Sequence, residues 1–349
     1  MEQTTPKATI KDYIQLMRPQ ATFVCVFIAI VGVLLGGGSW FTPIIPLFVI
    51  YAFLFHWTGF ANNEIEDLEY DKRAGKDHKA LVKGKISFRN AMNLVIIGQV
   101  LATGVGALIA GTNFWAWFFM LFNIINGILY NMYCKTTYAN PIFIANCWMG
   151  LGLFGYFSQT WAITPVLILF AVDVWLMFFY DVAYLGYYKD PQDEKNILSA
   201  LGGGGFRRPS FSFDEIADAT HWEPWFIPSF KTQLWGWIFK LLNMGIAVGL
   251  WYYTNPDLEA WPLIGWILAC VWLCMITKLI TEEQIFDRRK ALRNCALSEM
   301  ATYSVMMVTL GRIIGGPAEV FLIIVIPIWW FIGINRYIWG KGWGLAPNV

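Results

Sequence analysis

The stretch "NNEIEDLEYD", residues 62–71, ends an apolar run at 43–61 with a dense group of carboxylates and two amides. Asn63, Asp67 and Asp71 stand four residues apart, which on a helix puts them on one face. Glu64 lies beside that face and His56 borders it deeper in the run. The plain reading is a solvated helix end pairing with Lys72, Arg73 and Lys76. Carboxylates stacked on one face repel one another, however, and a hard cation with oxygen ligands relieves that repulsion.

The surrounding composition is that of a membrane protein. Of 349 residues 57% are hydrophobic and only 14% charged, with 19 Trp and 27 Phe, which excludes an ordinary soluble core. The net charge of +1 says little about partners, and its distribution says more; no nucleic acid is expected among them. A helix needs roughly 20 apolar residues to cross about 30 Å of hydrocarbon. Runs of suitable length and composition fall near 21–36, 43–61, 91–110, 114–132, 140–161, 163–187, 232–253, 260–281 and 317–339. A shorter one at 296–313 carries Glu299 and Arg312. Backbone groups in lipid must satisfy one another, so the expected fold is an all-α polytopic bundle of nine or ten transmembrane helices, forming one domain over 1–349.

Basic residues collect after alternate runs, from Lys72 to Arg89, at Lys135, from Lys189 to Lys231 and from Arg288 to Arg293. The opposite loops GGGSW, AGTN and TNPDLEA carry none. This asymmetry predicts a cytoplasmic N-terminus and cytoplasmic acidic segments. The N-terminal segment lacks a cleavable-signal pattern, so the first span is expected to remain. The longest connection, 198–231, reads as a cytosolic connector; its GGGG at 202–205 lacks a following GK[ST] and so reads as a turn. The six Cys form no ligand pattern with His and read as small hydrophobes.

A second acidic segment, YDVAYLGYYKDPQDEKNI at 180–197, again ends a long apolar run on the same side. Asp190 and Asp193 are three apart and Asp181 lies nearer the membrane boundary. Asp190-Pro191 is also how a helix begins, and both roles can hold at once. Two acidic clusters at one membrane face suggest a shared chamber. A diphosphate suits it, because carboxylates hold such an anion through bridging Mg²⁺ ions and nearby Lys and Arg stabilise the leaving group. At the mouth of an aromatic-rich bundle, its tail is hydrophobic. That describes an isoprenyl diphosphate donor such as geranylgeranyl or farnesyl diphosphate.

The residues resemble the UbiA superfamily of intramembrane prenyltransferases. Its first motif, N-D-x-x-D-x-x-x-D, is similar to Asn63, Glu64, Asp67 and Asp71, with one Asp replaced by Glu. KALVKGKIS, from Lys79 to Ser87 and including Lys85, is similar to the family's RPLPSGRIS. Lys189, Asp190 and Asp193 match the start of KDxxDxxxD, and LMRP at 16–19 and LYNMYCK at 129–135 also look familial. The last Asp of the second motif is replaced by Ile197, so Asp181 or Glu194 is expected to supply the missing ligand. The usual proline-rich segment after the fourth span is absent, which leaves Lys135 as its cation. The connector and the final helix are additions to the family pattern.

The resemblance implies Mg²⁺ held by Asn63, Glu64, Asp67, Asp71, Asp181, Asp190 and Asp193, with Lys79, Lys85, Lys135 and Lys189 on the diphosphate. Ionisation then gives an allylic cation that a hydrophobic acceptor captures within the bilayer. Independently, Tyr184 and its neighbours Tyr180, Tyr187 and Tyr188 offer ring faces to a carbocation; the duller reading is interfacial anchoring. Acids inside spans are costly, and Asp173 reads either as a proton acceptor or as an inter-helix hydrogen bond. Asn123, Asn126 and Asn146 favour the second role. Three rivals remain: a cyclase of the same superfamily, in which the ionised chain attacks itself; a transporter or channel, which predicts acids deep within several spans; and a non-catalytic scaffold, which gives no reason for carboxylates spaced on one face.

Overall fold

The computed structural model describes residues 8–18, 22–73, 79–134 and 136–180, with isolated positions from 182 onward. Among the described residues there is no strand. The helices are α1 (Ile10–Met17), α2 (Thr22–Leu35), α3 (Ile44–Glu66), α4 (Leu68–Arg73), α5 (Phe88–Ala110), α6 (Phe114–Tyr133), α7 (Asn140–Phe157) and α8 (Pro165–Tyr180).

Local chemistry accounts for the boundaries. Thr9 and Asp12 form a capping box at the start of α1, the Thr9 hydroxyl accepting from the Asp12 N–H and the Asp12 carboxylate accepting from the Thr9 N–H at 2.8 Å. Arg18 ends that helix in a left-handed conformation, with φ 47. Ser87 caps α5 and Asn113 caps α6, each accepting from backbone N–H groups of the first turn. Gly111 closes α5 at φ 52, which glycine adopts at little cost.

Six of these helices coincide with the first six expected runs. Three of them, α3, α5 and α6, are long and apolar enough to span a bilayer. The protein is an integral membrane protein. The remaining expected spans at 260–281, 296–313 and 317–339, with the connector at 198–231, lie outside the described residues except at scattered positions. In the run at 232–253, Phe239 packs on Phe179 of α8 with ring centroids 5.0 Å apart.

The helix α7 sits among α2, α6 and α8. Glycines bring α2 and α7 to backbone contact: a methyl at Gly32 would overlap the Gly152 carbonyl oxygen, and one at Gly155 would overlap the Ala29 carbonyl oxygen. Small residues are what allow helices this close approach in lipid. A polar chain crosses the same interior. Tyr51 donates to Asn123 Oδ1 at 2.9 Å, and Asn123 Nδ2 donates to the Cys147 carbonyl at 2.7 Å. Asn146 donates to Asn126 at 3.2 Å and accepts from the Trp175 indole at 2.9 Å. Buried amides in hydrocarbon are thereby satisfied and tie α3, α6, α7 and α8 together.

Candidate functional site

Alternation of direction brings the end of α3, the start of α5, the end of α6 and the start of α7 to one end of the bundle, with α1, α4 and the 79–86 turn beside them. The acidic stretch lies there. The apolar run of α3 continues helically through Glu66, and Asp67 is the residue at which the chain turns into α4. Backbone bonds preserve the expected alignment across that junction. Asp67 N–H reaches the Asn63 carbonyl at 2.9 Å, and Asp71 N–H reaches the Asp67 carbonyl at 2.8 Å.

Cations from distant segments meet these acids. The buried Glu64 carboxylate accepts from Arg18 through Oε1 and from Lys79 Nζ through Oε2, the latter at 2.9 Å. Lys79 also pairs with the buried Asp71. Arg18, at the end of α1, lies 5.0 Å over the Phe60 ring, one turn below Asn63. Lys85 pairs with Asp12 at 3.0 Å and so fastens α1 to the 79–86 turn. The Thr9 hydroxyl bond first, then the Thr9 backbone bond and Lys85, hold the Asp12 carboxyl down at about 2.

The end of α6 closes on the same stretch. Cys134 Sγ lies 3.7 Å from Asp67 Oδ1 and 3.9 Å from Asn63 Nδ2. Asn131 donates to the Gly59 carbonyl at 3.1 Å, and Asn140 donates to the Cys134 carbonyl at 2.9 Å. Cys134, expected as a small hydrophobe, therefore contacts the acidic motif itself.

Below the acids the wall is aromatic. The His56 ring meets Phe60 edge-on at 4.4 Å and lies 6.0 Å from Trp148, which stacks on Phe178 at 4.4 Å. His56 Nδ1 is 2.9 Å from Thr22 Oγ1, which also accepts from the Trp57 indole. Asp173 is buried in α8. Seven residues separate His56 from Asn63, and seven separate Asp173 from Tyr180 at the end of α8, so both lie about 10 Å below that end of the bundle.

The structure thus brings together Asn63, Glu64, Asp67, Asp71 and Lys79, with Lys85 alongside, while Asp173 is buried separately in α8. Lys135, Asp181, Tyr184, Lys189, Asp190 and Asp193 lie outside the described residues. The donor chemistry fits a hard divalent cation, since Asn63, Asp67 and Asp71 present oxygen ligands on one helical face. Among the described residues no group of three His, Cys, Asp or Glu side chains could hold a metal by itself. Sequence reading missed Arg18 and Cys134 as neighbours of the site, being 46 and 71 residues from their partners Glu64 and Asn63; the LMRP resemblance was the only sign of the first.

The UbiA prenyltransferase family matches residues 25–197. The chain belongs to this family. No curated protein matches it. Among solved structures, one of a digeranylgeranylglyceryl phosphate synthase in membranes aligns with TM-score 0.60 at 17% identity, covering 87% of this chain and 98% of its own. The apo form of a UbiA homologue from Aeropyrum pernix K1 aligns with TM-score 0.57 at 16% identity, covering 89% and 99%. A UbiA homologue from Archaeoglobus fulgidus bound to GPP and Mg²⁺ aligns with TM-score 0.54 at 17% identity, covering 85% and 99%. At these identities the likeness is one of fold.

Proposed function

We propose that this UbiA-family protein is a Mg²⁺-dependent prenyltransferase, moving a prenyl group from an isoprenyl diphosphate to a hydrophobic acceptor within the membrane and releasing diphosphate. The observation that carries this reading is the helical rung Asn63, Asp67, Asp71 set beside Arg18 and Lys79, above an aromatic wall. The binding of GPP and Mg²⁺ by the Archaeoglobus fulgidus homologue supports it.

Asn63, Asp67 and Asp71 would hold Mg²⁺ from the α3 side, and Asp190 and Asp193, with Asp181, from the other. A divalent ion held by these residues would supply positive charge to the leaving diphosphate. Lys79, Lys85, Lys135 and Lys189 add positive charge around the same group. Phe60, His56, Trp148 and Phe178 exclude water from the allylic carbon and present ring faces along the path of the chain. Asp173 would accept the proton that the acceptor molecule loses, and Tyr184 would offer its ring face to the allylic cation. The acidic end faces the cytoplasm, as does the N-terminus, on the evidence of the basic segments around it.

The test is incubation of the purified protein with farnesyl or geranylgeranyl diphosphate and Mg²⁺, with and without a lipid extract, measuring released diphosphate and identifying products by mass spectrometry. Release that requires both Mg²⁺ and extract, with a prenylated product, is the expected result. Release without extract, giving a cyclic hydrocarbon, makes the protein a cyclase. No release with any prenyl diphosphate overturns the reading.

A further inference from the structure

Glu64 occupies the motif position where the family pattern has Asp, and its surroundings are not those of a metal ligand. Each of its oxygens already accepts from a cation, Oε1 from Arg18 and Oε2 from Lys79 at 2.9 Å. The side chain is 7% exposed, so water does not share the task. A carboxylate compensated in this way has little charge left for a divalent ion. The extra methylene of Glu over Asp lengthens its reach towards Arg18, which comes from the end of α1.

We infer that Glu64 is a positioning residue that sets Arg18 and Lys79 side by side at the head of the site, to receive the oxygens of a diphosphate, and that it does not ligate Mg²⁺. The inference rests on the prenyl diphosphate reading above. Arg18 is held from two sides, by Glu64 and by the Phe60 ring, so its guanidinium has few alternative positions. Lys79 is fixed between Glu64 and Asp71. Fixing donors before the ligand arrives is how an anion site gains affinity, since less freedom is lost on binding.

The variants that decide it are Glu64→Gln, Glu64→Asp, Arg18→Gln and Asp67→Asn, each in the full chain in detergent and each checked for folding by thermal unfolding. Kinetics give the donor KM and the Mg²⁺ concentration at half-saturation separately. Glu64→Gln and Arg18→Gln are expected to raise the donor KM about 10-fold or more while leaving the Mg²⁺ half-saturation within about twofold. Asp67→Asn is expected to raise the Mg²⁺ requirement. Glu64→Asp, one methylene short, is expected to behave as Glu64→Gln. A rise in Mg²⁺ requirement for Glu64→Gln equal to that of Asp67→Asn overturns the proposal, as does full rescue by Glu64→Asp. Should Glu64→Gln not fold, Arg18→Gln carries the same expectation. Binding separates failure of this proposal from failure of the functional reading. Mn²⁺ uptake by the protein, followed by electron paramagnetic resonance without any diphosphate present, is expected to persist in Glu64→Gln whether or not any donor turns over. Its loss there, with uptake intact in the unaltered protein, overturns the role of Glu64.

Discussion

Asp67 stands at the joint between α3 and α4. Replacing it by Ala is expected to lower kcat/KM about 100-fold or more, with the thermal unfolding profile unchanged. Near-normal turnover in that variant would remove it from the site. Asn123 makes the opposite case. Its amide joins Tyr51 of α3 to the Cys147 carbonyl of α7. Asn123→Leu takes the acceptor from the Tyr51 hydroxyl and the second donor from the Cys147 carbonyl in a water-free interior and is expected to cost about 1–2 kcal/mol, read as a lower unfolding temperature in detergent. The rung of Asn63, Asp67 and Asp71 was legible in sequence because it depends on spacing within one helix. The partners of Glu64 were not, because ion pairs between residues 46 apart follow from how helices pack, and periodicity carries no information about that.

At the scale of the helix, the six apolar runs were found with starts within about three residues and ends less closely, since long uninterrupted hydrophobicity has one solution in lipid but its limits are set by local caps and turns. Two elements escaped. The helix α1 is short and mixed in composition, and its capping box at Thr9 and Asp12 was its only local signature. The joint at Asp67 was hidden because helical bonds continue across it. The tie between α1 and the 79–86 turn has a pH dependence of known sign. The Asp12 carboxyl titrates at about 2 in the folded protein against 3.8 ordinarily, so its contribution is complete above the ordinary value and is lost as pH falls towards 2. Amide-exchange protection in residues 10–17 is expected to hold at pH 5 and to fall between pH 4 and about 2. Protection unchanged through that interval would show that Lys85 and Asp12 do not secure the helix. The seam of α2 and α7 gives a steric test. Gly32→Ala puts a methyl where the Gly152 carbonyl oxygen lies and is expected to cost about 1–3 kcal/mol, seen as reduced thermal stability.

For the molecule as a whole, orientation is the property on which the basic segments bear. A single cysteine introduced at Thr112, in the loop between α5 and α6, is expected to react with an impermeant maleimide from outside intact cells, and one at Ser87 only after permeabilisation. The reverse pattern would invert the topology. Membership of the family and the helical class follow from features spread along the chain, which is why composition and motif reading reach them. The second acidic segment reads from sequence as the complement of the first, through Asp190 and Asp193. The central position of α7 has a consequence for how the protein is made. Packed against α2, α6 and α8, it carries Gly150, Gly152 and Gly155 where a lipid-facing helix would carry larger apolar side chains. At 18 residues it is long enough to count as a span, yet it is not among the three apolar enough to do so. Leaving the translocon alone, such a helix has a weak claim on the bilayer. Its entry is best secured as a hairpin with α6, so the order of synthesis is itself part of the assembly of the site.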